Sequence, residues 1–398
     1  MNQAIVVVGA GPAGSALTLY LAQHNIPVIL LEQADQLPVD LRASTFHPPS
    51  LEMLDSLGVT EKLLAKGLVA DKYQYRDRQS NDVAEFNMKL IADETKFPFR
   101  LQLEQYEMTQ IVGDMLKAYP HVDVRFGHKV TGCKETEQGV IVELETAAGK
   151  SEIHTAVLVG TDGASSNVRK GAGIGFDGFT YDEKFLVVST DFEFENVFEN
   201  LAWVNYVSDP EEWCVILRTE KLWRVLIPTE PGDDEAKLLS DEFIQARLKH
   251  LYDKGSPYLL NHRTLYNVHQ RVSETYYKGR VVLAGDACHI NNPLGGMGMN
   301  GGLHDAFNLA ERLVRIVKGN ADIAKEFAQY DRQRRLLAVD FVQKHTIENK
   351  KLMESTDPDI QKKRQAMLME TAADTVKAKA FLMERAMINC VRESLALA

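Results

Sequence analysis

Short apolar runs and stretches of helical period alternate along the first part of the chain. Residues 4–8 (AIVVV) read as a buried strand, 15–24 as a helix and 27–31 as a second buried strand. An amphipathic helix is predicted over 50–57, ended by Gly58, and another over 106–118. Strand-like runs fill 73–103, 122–133 and 138–146, and residues 156–159 form one more buried strand. From 176 to 275 the texture changes. Runs at 185–188, 202–207, 213–217 and 223–228 look like successive strands of an antiparallel sheet, interrupted by a helix over 240–252. A strand at 280–284, a glycine-rich loop, a helix over 303–317 and long helical patterns at 324–353 and 358–396 complete the chain.

Three glycine breaks fall at strand ends, where ligands sit in open α/β sheets. The first, Gly9-Ala10-Gly11-Pro12-Ala13-Gly14, leads into the first helix, and Glu32 closes the second strand. Strand, G-x-G-x-x-G, helix, strand and acid in this order make a dinucleotide-binding unit. Gly9 permits the tight turn, Gly11 lets the backbone approach a pyrophosphate, and Gly14 lets helix and strand pack closely. The helix amino terminus faces the phosphates. Glu32 suits a ribose without a 2′-phosphate, so FAD or NAD fits better than NADP. The second break is Gly160-Thr161-Asp162-Gly163. The third is Gly285-Asp286, followed by Pro293 and by Gly295, Gly296, Gly298, Gly301 and Gly302. So little side-chain bulk before a helix lets backbone N–H groups lie against something flat or anionic. Gly296-x-Gly298-x-x-Gly301 follows a loop rather than a strand, so it does not signal a second nucleotide fold.

The fold class is therefore α/β: a Rossmann-like dinucleotide-binding domain, a second and mostly antiparallel β-sheet domain for substrate, and a helical carboxyl-terminal region. The expected divisions are 1–72, 100–175 and 276–320 for the first, 73–99 and 176–275 for the second, and 321–398 for the third. The 398 residues carry 45% hydrophobic and 25% charged positions, ordinary for a globular protein, and a net charge of −11 that argues against nucleic acid as a partner. Four widely spaced cysteines with no CxxC point to a reducing, cytoplasmic setting. Adjacent Cys288 and His289 lack a matching ligand pair, so no metal is expected. No apolar stretch approaches the roughly 20 residues a bilayer span needs, so integral membrane association is not expected. A monomer or homodimer is expected.

Gly9, Gly11, Gly14 and Glu32, then Asp162-Gly163, then Gly285-Asp286 with Pro293 and its glycine loop together resemble the class A FAD-dependent aromatic hydroxylases, the single-component monooxygenases of the 4-hydroxybenzoate hydroxylase type. Segments 42–58 and 103–109 also resemble family segments, and the resemblance covers about residues 4–345. It implies that Gly9, Gly11, Pro12, Ala13 and Gly14 hold the FAD pyrophosphate and Glu32 the adenosine ribose. Arg42 and Gln105 would meet the ribityl-pyrophosphate part. Asp162 and Gly163 would serve FAD and pyridine-nucleotide use, and Gly285 and Asp286 the ribityl side. Pro293, Gly296, Gly298, Met299 and Asn300 would line the isoalloxazine. The chain departs from the family in its helical tail and in Leu336, which follows Arg334-Arg335 where a proline is common.

The resemblance further implies that NADH or NADPH binds transiently and reduces FAD, and that O2 then yields a flavin hydroperoxide attacked by an electron-rich ring. The protein holds the flavin, excludes water and raises the ring's nucleophilicity. Candidates for activating a small phenolic or N-heteroaromatic substrate are His47, as a proton relay near neutral pH, and Tyr206 and Arg218, if their strand phase points them into the cleft. Pro293 stands beside the reacting face. A halogenase or isoprenoid-type reductase is the first alternative. Trp223-Arg224-Val225-Leu226-Ile227-Pro228 has Val225 where the halogenase pattern W-x-W-x-I-P has its second tryptophan. A non-catalytic flavin- or NAD-binding protein is the second, and it leaves the Gly285-Asp286 loop without a role.

Overall fold

The computed structural model describes residues 4–39, 41 and 43–397. Its first layer is a six-stranded sheet. Tyr277–Lys278 stands at one edge, followed by Val281–Leu283, Leu158–Gly160, Ile5–Val8, Val28–Leu31 and Val122–Arg125. All neighbours pair in parallel except the edge hairpin. Ile5–Val8 is central and buried on both faces, which is why it reads as a continuous apolar run. Helix Pro12–Gln23 packs against helices Gln105–Leu116 and Met297–Gly319. A three-stranded meander of Lys129–Thr136, Gly139–Thr146 and Gly149–Thr155 fills the crossover before Leu158. Its third strand is polar and mostly exposed, so no alternation marks it in the sequence.

The second layer is an eight-stranded sheet in the order His289–Ile290, His262–Ser273, Phe176–Thr190, Trp223–Pro228, Cys214–Arg218, Val204–Ser208, Lys72–Asp77 and Val83–Asn87. It is antiparallel except where Val204–Ser208 runs parallel to Lys72–Asp77. Both faces are covered. Leu186, Val188, Ile216, Trp223 and Val225 pack under helix Asp241–Leu251 through Ile244 and Leu248. Tyr73, Phe86, Tyr206, Trp213 and Val215 meet Ala378, Leu382 and Ile388 of the carboxyl-terminal helices on the other face. The tail, helical over Pro358–Ala373, Thr375–Arg385 and Ile388–Ala396, is thus a roof over the cleft-facing side of this sheet. A small sheet of Thr45–Phe46, Arg100–Gln102 and Leu68–Ala70 also belongs to the fold. Among the described residues, no helix is long and apolar enough to cross a membrane.

Candidate active site

The first glycine turn is set by close backbone approach. Gly9 has φ +101°, and a Cβ there would lie 2.5 Å from the Thr161 carbonyl oxygen. A Cβ on Gly14 would fall 2.0 Å from the Gly9 oxygen. Gly11 is the opposite case: a Cβ there meets no atom within 4 Å, so its backbone borders open space. Helix Pro12–Gln23 begins at that opening, with no side chain capping it, which leaves first-turn N–H groups for an anion. The buried Glu32 carboxylate accepts the Ala10 N–H at 2.9 Å and the Ala34 N–H at 3.0 Å, and each oxygen keeps a lone pair for a hydroxyl donor.

Asp162 is spent within its own loop. It accepts the Ser166 hydroxyl at 2.5 Å and the N–H groups of Asn167 and Val168 at 2.7 and 3.1 Å. Burial raises its pKa, against the pull of these donors. Its carboxylate shapes the loop from within, while Gly163 has open space where a Cβ would stand.

At the third break a Cβ on Gly285 would lie 3.2 Å from the Ala13 Cβ, and one on Gly302 would lie 3.1 Å from the Gly285 Cα. These contacts bring the amino ends of helices Pro12–Gln23 and Met297–Gly319 together. Asp286 stands exposed beside them. The later helix starts at Met297, not at 303: Gly295 and Gly296 turn the chain at φ +98° and +67°, and the remaining glycines lie inside the helix, where they permit its close packing. Pro293 is exposed, Gly298 half-buried, and Met299 packs against the first core. The loop is held by residues the sequence reading passed over. Asn292 donates its N–H to Gln270 Oε1 at 3.0 Å and its amide to the Thr346 carbonyl at 2.9 Å, and its Oδ1 receives the Leu294 N–H at 3.1 Å. The Asn300 side chain is likewise used internally. It donates to the carbonyls of Thr45 and Gly296 at 2.8 and 2.7 Å and accepts the His47 N–H. The expectation that it lines the isoalloxazine is corrected for the side chain, which braces the loop.

Gln105 sits half-buried at the start of its helix, its backbone N–H on the Ala43 carbonyl and its side-chain amide without a partner among the described residues. Arg42 lies outside the described residues. His47 is fully buried, with Nε2 2.8 Å from the Gly295 carbonyl oxygen. Burial, helped by nearby Arg100, pushes its pKa down to about 3. The expectation of a relay titrating near neutral pH is therefore corrected: neutral His47 donates Nε2–H to Gly295 and keeps Nδ1 as an acceptor.

Tyr206 is on the cleft-facing side, its ring stacked on Tyr75 at 4.9 Å. Arg218 is not. It shares its face with Cys214 and Ile216, which pack under helix Asp241–Leu251, and it lies 3.8 Å from Glu195. The arginine of these strands that does face the cleft is Arg224, paired across from Leu217 in the sheet and joined to Glu104 at 2.7 Å. Sequence reasoning also missed Tyr73, Tyr75, Phe86, Arg100 and Phe381, which gather from distant segments. Phe381 stacks on Phe86 at 4.4 Å, and Arg100 lies 4.1 Å from the centre of the Tyr73 ring.

Cys288, His289 and Asp305 have ligand atoms within 4.8 Å of one another. Both Asp305 oxygens are already engaged: Arg334 Nε reaches one at 2.7 Å, while His289 Nε2 at 2.7 Å and the Gly285 N–H at 3.1 Å reach the other. The cluster is an ion-paired brace under the Gly285 turn.

A parallel sheet with a glycine cradle, joined to a sheet whose aromatic face is roofed, is the architecture of the FAD-dependent hydroxylases. A family model described as an FAD binding domain matches residues 2–345, and the chain belongs to that family. The chain is 31% identical to a para-nitrophenol 4-monooxygenase of Pseudomonas sp. (strain WBC-3), over 97% of this chain and 96% of that one. It is 30% identical to a 6-hydroxy-3-succinoylpyridine 3-monooxygenase of Pseudomonas putida, over 85% and 86%. The crystal structure of p-nitrophenol 4-monooxygenase from Pseudomonas putida DLL-E4 superposes with a TM-score of 0.92 at 29% identity, covering 98% of both chains.

Proposed function

We propose that this chain is a single-component FAD-dependent monooxygenase that uses NADH or NADPH and O2 to hydroxylate a small phenolic or hydroxylated N-heteroaromatic compound. The stoichiometry is ring C–H + O2 + NAD(P)H + H⁺ giving ring C–OH + H2O + NAD(P)⁺. The observation that carries the reading is the closed aromatic face of Tyr73, Tyr75, Phe86, Tyr206 and Phe381 on the sheet side of the cleft. Two relatives whose names specify single hydroxylated rings support the size and chemistry of the substrate.

FAD supplies hydride acceptance and oxygen activation when bound. The chain's residues fit it. Backbone at Gly9, Gly11, Pro12, Ala13 and Gly14 holds the pyrophosphate at an uncapped helix end, and Glu32 takes the ribose hydroxyls. Gln105, Gly285 and Asp286 would meet the ribityl side of the cofactor, and Gly163 would serve FAD from the second glycine break. Pro293, Gly296, Gly298 and Met299 border the ring system. The positive end of helix Met297–Gly319 would stabilise negative charge developing on a ring system bound against it. The tail helices keep water from the reacting face. Four cysteines, free in the structure, fit a reducing cytosol.

The test is a screen of hydroxylated aromatics for stimulated NAD(P)H oxidation by the purified yellow protein, with isotopically labelled O2 traced into the product. A colourless protein that cannot be reconstituted with FAD sinks the reading, and so does oxidation that never labels a product.

A further inference from the structure

The loop that carries Pro293 has two sides. Asn292, Leu294 and Met297 are buried, while Pro293 is exposed and Gly295, Gly296 and Gly298 are partly open. The open side borders the ring system in the reading above. The buried side is gripped by the carboxyl-terminal helices. Met297 packs in one cluster with Phe341, Val342, Met387 and Cys390, and Leu294 joins another with Met353 and Leu382. Asn349 Nδ2 stands 3.5 Å from where a Cβ on Gly295 would lie, and its Oδ1 accepts Arg385 Nη1 at 2.7 Å.

At Asn292 the grip is polar. Gln270 Oε1 accepts the Asn292 N–H at 3.0 Å, and Gln270 Nε2 donates to the Thr346 hydroxyl at 2.7 Å. The Asn292 amide closes the ring of contacts on the Thr346 carbonyl at 2.9 Å. Gln270 is 2% exposed and Asn292 and Thr346 are 0% exposed, so solvent cannot replace a lost partner. Residues 338–343 just before Thr346 form a π-helical turn, a departure often found at functional sites. From that turn Gln343 Nε2 donates to the Ile290 carbonyl at 3.0 Å. Elsewhere the carboxyl-terminal helices hold the eight-stranded sheet through apolar residues, which needs no fixed register. A satisfied buried polar set adds little net stability but selects one geometry.

We propose that Thr346 and Asn349 are positioning residues for the flavin. Thr346 acts through Gln270 and Asn292, and Asn349, anchored by Arg385, acts at Gly295. Together they set where the backbone of Pro293 to Gly296 stands against the ring. The carboxyl-terminal helices are then part of the cofactor site as well as a cover for the aromatic wall. The proposal rests on the placement of FAD given above.

The test reads the bound flavin itself, by visible circular dichroism of the FAD-loaded protein and by FAD release on dilution. Thr346→Val removes the hydroxyl and leaves the Gln270 amide short of its nearest acceptor. It should alter the flavin dichroism and weaken FAD binding about tenfold. Thr346→Ser keeps the hydroxyl and should restore both. Asn349→Ala, at a half-buried position that spares the buried polar set, should alter the dichroism with a smaller loss of affinity. Leu368→Ala loosens the helix that packs on Val83–Asn87, away from the loop. It should lower the unfolding midpoint and leave the flavin dichroism of the folded protein unchanged. Wild-type dichroism and FAD affinity in both Thr346→Val and Asn349→Ala overturn the proposal. So does the same spectral change in Leu368→Ala, which would make these contacts ordinary packing. Each of those results leaves a yellow protein and the hydroxylase reading intact, whereas a wild-type chain that takes up no FAD overturns both.

Discussion

Asn300 and His47 are tied across the mouth of the site: Asn300 Oδ1 accepts the His47 backbone N–H at 2.9 Å. The same amide donates to Thr45 and Gly296, so one side chain fixes a loop more than 250 residues away in sequence and the first turn of the helix at once. Asn300→Ala removes a buried hub and leaves three backbone groups unmet. A loss on the order of 2–4 kcal/mol is expected, with weaker FAD retention. Chemical unfolding together with FAD release on dilution checks both.

His47 gives a pH-dependent prediction. In the folded chain its pKa is about 3, through burial and Arg100, against an ordinary 6.5. Between those values the unfolded histidine holds a proton that the folded one does not. This contribution to stability is therefore complete above the ordinary value and is lost as pH falls from about 6.5 toward 3, with a slope of at most about 1.4 kcal/mol per pH unit. His47→Gln should flatten that part of the stability curve. A variant whose slope between pH 3 and 6.5 equals that of wild type would show that His47 is not held neutral.

Asp305 sits between Arg334 and His289 beneath the Gly285 turn. Burial alone would raise its pKa, but His289 and Arg334 outweigh that and hold the carboxyl well below its usual range. Its stabilisation is present above the ordinary carboxylate pKa and disappears only as pH falls far below it. Arg334→Met leaves the carboxylate buried without its cation, so a loss of about 3–5 kcal/mol is expected. Asp305→Asn with Arg334→Met should recover part of that loss in a double-mutant cycle.

What the sequence discloses and what it hides divide along locality. The turn at Gly9, Gly11 and Gly14 and the acid at Glu32 lie within one βαβ unit, and their spacing alone places them. The pocket wall does not. Tyr73, Arg100, Tyr206 and Phe381 come from four segments that meet only through sheet pairing and the returning tail. Phase was also unreadable in Cys214–Arg218. Four of its five residues are apolar because both sheet faces are covered, so alternation cannot tell the two sides apart. The register, with Leu217 opposite Arg224 and Arg218 opposite Trp223, exchanges the expected arginine for its neighbour on the next strand.

That exchange is testable by kinetics. Arg218→Ala touches only the far face and should leave the KM for the aromatic substrate within about twofold of wild type. Arg224→Ala strips the partner from Glu104, whose pKa burial already raises against the pull of Arg224. It should raise the substrate KM and lower stability. Substrate KM values for the two variants decide it: a larger effect at Arg218 would place the cleft on the other face.

Phe381 closes the aromatic wall from the tail helix Thr375–Arg385, stacked on Phe86 at 4.4 Å and edge-on to Tyr75 at 6.2 Å. If the tail is a roof, its value lies in excluding water from the reacting face. Phe381→Ala removes a half-buried ring there and should cost about 1–3 kcal/mol in stability. The more specific effect is on coupling. In the proposed reaction, water admitted at the reacting face would divert turnover to NAD(P)H + O2 + H⁺ giving NAD(P)⁺ + H2O2, so hydrogen peroxide should rise and product per NAD(P)H should fall. Phe381→Leu, which keeps apolar volume, should stay closer to wild type. A variant that loses stability while its coupling ratio is unchanged would make the tail a brace for the sheet alone, with the water barrier supplied by the sheet's own aromatic residues.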